Sequence, residues 1–146
     1  MAKPPRISRD HSLTERRFAT QPALVQKYFP LFECGLSHRC VECEGVITPS
    51  EGCATYRIKI SYPRGGVPRV RVKDPQIMPS AEIHMYRDGS LCLYEPRENP
   101  WQSSNNLHET IIPWVAEWLV FYELFLLCGK WLGPEAPHVT ASKHRR

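Results

Sequence analysis

The sequence predicts an α+β fold, with helices packed on one face of an antiparallel sheet. Three observations predict it. A helix-start signature opens the N-terminal third, apolar residues alternate in the middle third, and an apolar run of helical period closes the chain. At 146 residues the chain is one domain with short tails, divided as a basic disordered tail over 1–11, a domain over 12–138 and a basic tail over 139–146. A content of 42% hydrophobic and 23% charged residues excludes wholesale disorder. Fourteen prolines and eight glycines indicate many turns.

The elements follow in order. Ser12-Leu13-Thr14-Glu15 has capping-box spacing, so a helix should start there. Pro22 should break or kink it, and Pro30 should end it, giving a helical region over roughly 12–32. Val41–Ile47 reads as a strand closed by the turn Thr48–Gly52. Tyr56, Ile58 and Ile60 alternate with Arg57, Lys59 and Ser61, a strand with one dry and one wet face. After the turn Tyr62–Gly66, Val70 and Val72 alternate with Arg69, Arg71 and Lys73. Three short-linked strands make an antiparallel meander. The basic row of the last strand is expected on the solvated face, with anion binding as the other reading. An irregular stretch, Asp74–Trp101, follows. Then Pro113 suits a first helical turn, and Trp114, Val115, Trp118, Leu119, Tyr122, Phe125 and Leu126 recur at helical spacing. This helix should be the core element, ending at Gly129 or Gly133.

Composition narrows the function classes. A net charge of +4, with much of the excess in the tails, is too weak and scattered for a compact nucleic-acid binder. The first 22 residues hold no apolar signal region. In the apolar stretch Ile111–Cys128, Glu117 and Glu123 oppose a membrane span, so a buried helix in a soluble, cytoplasmic protein is expected. Six cysteines in that setting imply free thiols, a metal site or a nucleophile, not disulfides. Cys34, Cys40, Cys43 and Cys53 have gaps of five, two and nine residues, unlike two paired zinc knuckles, so no metal is expected there. Cys128, in the apolar helix, is expected in the core. His108, Asn105 and Asn106 are read as cap and loop residues, or else as part of an active-site cleft.

The segment Ile83–Tyr94 fits a chemistry-bearing loop on a rigid scaffold. Asp88-Gly89 gives a tight turn. Leu91 and Leu93 can anchor while Cys92 faces the other way. His84, eight residues earlier, lies across the turn, where it can approach the thiol. A rigidly held thiol is what nucleophilic catalysis needs, whereas a buried structural thiol is the plainer reading.

Gly89-Ser90-Leu91-Cys92-Leu93 resembles the segment holding the active-site cysteine of ubiquitin-conjugating enzymes. Ile60-Ser61-Tyr62-Pro63 through Val67-Pro68-Arg69-Val70-Arg71-Val72 is similar to that family's strand–turn–strand, and Trp101 stands nine residues past Cys92, near a family tryptophan. The resemblance covers roughly 12–133 and implies a ubiquitin-conjugating-enzyme-like fold: N-terminal helix, antiparallel meander, active-site flap, C-terminal helix. Glu82-Ile83-His84 replaces the eukaryotic His-Pro-Asn, so His84 stands where the family has an oxyanion-stabilising or loop-shaping Asn. Tyr86–Cys92, the Trp-rich helix and Gly129–His138 resemble the prokaryotic members found in cyclic-oligonucleotide antiphage signalling (CBASS) operons, of the stand-alone type.

That resemblance implies catalytic Cys92 and His84, no cofactor, and thioester transfer to lysine. It implies as partner a cGAS-like nucleotidyltransferase whose C-terminus is the cargo. The alternative is an inactive module of the same fold that docks this partner. Arg87 and His84 are candidates to lower the thiol pKa. No Gly-rich phosphate loop is present for activating the cargo, so the activated acyl group would come from elsewhere, or Cys92 would attack an amide as a protease does.

Overall fold

The computed structural model describes residues 9–134. Helix α1 runs Arg9–Tyr28. It begins upstream of Ser12, so Ser12 and Glu15 lie inside the helix and not at its cap; Glu15 instead pairs with Arg64. The helix passes through Pro22, at the cost of one ladder hydrogen bond. It closes before Pro30, where the Phe29 N–H reaches the Val25 carbonyl at 2.8 Å. Phe18, Gln21 and Val25, at i, i+3 and i+7, form its buried stripe. Of the predicted tails, residues 1–8 and 139–146 lie outside the described residues, and residues 9–11 begin α1.

The sheet has four strands, one more than predicted: β1 Glu33–Leu36, β2 Cys40–Ile47, β3 Tyr56–Pro63 and β4 Arg69–Asp74, paired antiparallel in that order. β3 supplies the centre of the core, with Tyr56, Ile58, Ile60 and Tyr62 buried on one face. Tyr62 packs edge-on against Phe18 of α1 at 5.1 Å. Tyr56 bonds Glu123 of the last helix. Both helices therefore cover the same face of β3, as predicted. In β2, a Cβ on Gly45 would sit 2.5 Å from the Phe32 ring, so this strand position accepts only glycine without repacking.

β1 also corrects the prediction of free thiols. It places Cys34 directly opposite Cys43 with Cα atoms 4.1 Å apart, and the two are joined as a cross-strand disulfide. This pairing is not readable from spacing, because β1 is short and its residues follow no apolar alternation.

Helix α2, Ile111–Cys128, closes at Gly129, whose left-handed φ of 68° lets its N–H reach the Phe125 carbonyl. Ile111, Ile112, Val115, Trp118 and Leu119 are buried. The second half is not: Leu126, Leu127 and Cys128 are exposed. The prediction of a wholly buried helix with a core Cys128 holds for the first half only, because no described element packs over the last turns. By length and composition α2 could cross a membrane, with 28% of it buried.

Candidate active site

The loop after β4 is built to hold Cys92. It opens with a single 3-10 turn, Ala81–Ile83, capped by the Ser80 hydroxyl, which accepts from the Glu82 N–H at 3.2 Å. His84 follows with φ 56° and ψ 58°, a left-handed conformation that costs a non-glycine residue on the order of 1–2 kcal/mol. The surroundings hold it there. Its N–H donates to the Ala81 carbonyl at 3.2 Å, and its own carbonyl accepts the Cys92 N–H at 2.9 Å. The Trp118 indole of α2 donates to the Ile83 carbonyl at 3.1 Å. The His84 ring, buried, packs against Trp131 with centroids 5.0 Å apart. Strained backbone fixed from several sides is a frequent property of functional sites.

Between His84 and Cys92 the chain turns back on itself. The Tyr86 N–H reaches the Ser90 carbonyl at 2.8 Å, and Gly89 supplies the φ of 87° that the turn requires. The Leu91 N–H donates to the Val70 carbonyl at 2.9 Å, tying the loop to β4. Leu91 is buried and anchors the loop, but Leu93 is half-buried and lines the same cleft as Cys92, because residues 92 and 93 lie outside any strand and do not alternate.

Asp88 is the clamp of this turn. One carboxylate oxygen accepts from the Ser90 N–H at 2.9 Å and the Ser90 hydroxyl at 2.5 Å. The other accepts from Arg69 at 3.2 Å and Arg71 at 3.3 Å. These Ser90 bonds first, then the two guanidinium groups, hold the Asp88 carboxyl below its ordinary pKa. The basic row of β4 thus grips an anion, and that anion is the chain's own loop. Both readings of the row hold in part: Arg69 and Lys73 are exposed on the wet face, and Arg69 and Arg71 bind the carboxylate.

Cys92 lines a cleft of about 310 Å3 with His84, Leu93, Tyr94, Glu95, Asn99, Trp114, Glu117, Trp118, Phe121, Trp131 and Pro134. The thiol is half-buried and reachable from this cleft. Burial pushes its pKa up to about 11; the Tyr86 hydroxyl bond acts in the opposite direction, and the Asp88 charge adds to the rise. This corrects the expectation that Arg87 or His84 lowers it. The ionic charge acting on the sulfur is a carboxylate, so the resting group is a thiol at neutral pH. The Tyr86 hydroxyl, itself raised to about 12 by burial, stays a proton donor across that range.

The structure brings the two predicted residues, Cys92 and His84, into one cleft. His108, Asn105 and Asn106 do not line it. In the turn before α2 the Asn106 backbone carbonyl accepts the Thr110 hydroxyl at 2.8 Å, and His108 stacks on Tyr28 at 4.5 Å. Cys43 is spent in its disulfide, and among the described residues no three His, Cys, Asp or Glu side chains gather at metal-binding spacing. Sequence reasoning missed Tyr86, Glu95, Glu117 and Trp131. Tyr86 sat in the quoted motif, but its bond to Cys92 depends on how the turn folds. The two carboxylates come from separate segments, and no local pattern links them to residue 92.

The family model described as Type II CBASS E2 protein matches residues 21–139. No curated protein matches the chain.

Proposed function

The chain belongs to the type II CBASS E2 protein family, a conjugating-enzyme-like group of antiphage defence, and on that premise we propose that it is a cytoplasmic acyltransferase working through Cys92. The cargo is the C-terminus of a cGAS-like nucleotidyltransferase. In the first step the Cys92 sulfur attacks an activated acyl carbon at that C-terminus. An S–C bond forms, the activating group leaves with the electron pair, and the thiol proton is released. In the second step a lysine amine attacks the thioester. An amide forms, and the sulfur leaves and regains a proton. Another protein supplies the activated acyl group.

The observation that supports this reading best is the thiol held at a cleft by the His84 backbone, with Glu95 and Glu117 on the same walls. A scaffold needs no reachable, rigidly held sulfur. Tyr86 offers a hydrogen bond to developing thiolate charge. His84, which lines the cleft, is the candidate oxyanion donor. Glu95 and Glu117 attract the ammonium of the incoming lysine and can take its proton. The high thiol pKa makes loading depend on a strongly activated donor. It also makes the thioester slow to discharge until an amine is positioned.

The test is conjugation of the nucleotidyltransferase, loaded with a C-terminal thioester in place of the activating step, to a lysine-bearing acceptor. The wild-type chain is expected to form the isopeptide conjugate and Cys92→Ala to form none. Equal conjugation by Cys92→Ala would overturn the enzyme reading, and docking without any conjugation by either chain would leave the scaffold in its place.

A further inference from the structure

The second half of α2 presents an apolar face that no other described residue covers. Val120 and Leu127 are 38% and 84% exposed, and the half-buried Leu124 lies between them. With Glu117 they follow a 117–120–124–127 spacing, which is the stripe along which two helices pair. Contiguous exposed apolar surface of this kind marks an interaction site. Residues 1–8, Met-Ala-Lys-Pro-Pro-Arg-Ile-Ser, and residues 135–146, Glu-Ala-Pro-His-Val-Thr-Ala-Ser-Lys-His-Arg-Arg, hold no run of large apolar residues.

The charges at the two ends of the stripe identify the occupant. Glu117 stands at its first turn and Lys130 just past its last, both exposed. Among the described residues neither makes an ion pair within the chain. The other carboxylate of the helix, Glu123, is engaged with Tyr56. A face that is acidic at one end, basic at the other and apolar between is complementary to itself turned end for end. We propose that two copies of this chain pair through α2, antiparallel about a twofold axis near residue 124. The two Leu124 side chains then meet near the axis, and Val120 of one copy packs on Leu127 of the other. Glu117 of each faces the Lys130 end of its mate; a parallel pairing would set like charges together. Glu117 also lines the cleft of Cys92, so the second copy borders the entrance to that cleft. A lipid surface fits less well: the helix has two carboxylates and no basic residue to meet anionic headgroups.

Sedimentation of the full chain over a range of concentrations tests the pairing. The wild type is expected to show a concentration-dependent dimer. Leu127→Glu, at a residue too exposed to matter for folding, should weaken it at least about tenfold, because a twofold axis counts each change twice. Glu117→Lys and Lys130→Glu should each weaken the dimer, and the two together should restore it. A chain that stays monomeric at its highest soluble concentration overturns the proposal. So does a dimer indifferent to Leu127→Glu. A monomer that floats with phosphatidylglycerol–phosphatidylethanolamine vesicles, or that captures the nucleotidyltransferase through Leu127, also overturns it and assigns the face to that occupant.

Discussion

Burial sets the reactivity of Cys92 more than any charge does. With its pKa pushed up to about 11, the thiolate fraction, and with it the rate of alkylation by iodoacetamide, should climb about tenfold per pH unit and level off only near that value. The sign is fixed by the cause: burial disfavours the charged form, so the thiol persists as pH rises past the usual cysteine range. Tyr86→Phe removes the one hydrogen bond that opposes this. The inflection should then move to higher pH, with slower alkylation at any pH below it. An unchanged or lowered inflection would count against a Tyr86 bond to the sulfur. His84 has a backbone part and a ring part, and substitution separates them. His84→Ala should lower turnover on the order of 10²–10³, the usual cost of one lost oxyanion donor, without unfolding the chain. Asn tolerates the left-handed backbone and keeps an N–H, so His84→Asn should recover much of that loss in a single-turnover discharge assay. A base role predicts no recovery. That residues 84 and 92 approach each other was legible because they sit in one contiguous motif. The thiol pKa was not, because burial is a property of the folded cleft and not of neighbours in sequence.

At the scale of elements, alternation in β3 and β4 and the apolar period of α2 were readable because each is set by local spacing. What was missed depends on partners distant in sequence. β1 is a strand only because β2 lies beside it, and the pairing of Cys34 with Cys43 came with it. The capping spacing at Ser12 was real as a pattern, but the helix extended through it. Gln21 shows the same limit. Read as a helix residue it is unremarkable, yet it is fully buried and joins α1 to the loop before α2. Its amide N–H donates to the Asn106 side chain at 3.0 Å, and its carbonyl accepts the Leu107 N–H at 2.8 Å. Gln21→Leu keeps the volume and strands both partners, so it should cost about 2–4 kcal/mol by urea denaturation. A loss within a few tenths would show that water replaces the amide. Gly45→Ala forces the Phe32 ring to move and should cost about 1–3 kcal/mol in the same assay, with Cys92 alkylation unchanged.

Across the whole molecule, one face of the sheet is given to the two helices, and the far end of the chain is folded around a single sulfur. β4 grips Asp88 and α2 grips Ile83 from outside the loop, while the His84 carbonyl holds the Cys92 amide within it. The motif in the sequence named the loop; only the assembled molecule shows the cleft, its two carboxylates and its second aromatic wall at Trp131. The central claim is that the Cys92 sulfur becomes the acyl carrier. Intact-mass measurement of the chain after incubation with the nucleotidyltransferase bearing a C-terminal thioester tests it most directly. One added nucleotidyltransferase per chain is expected, released by excess thiol, absent in Cys92→Ala, and trapped as a thiol-stable ester at residue 92 in Cys92→Ser. An adduct of the same mass on Cys92→Ala, or a wild-type adduct mapped to any other residue, would contradict it.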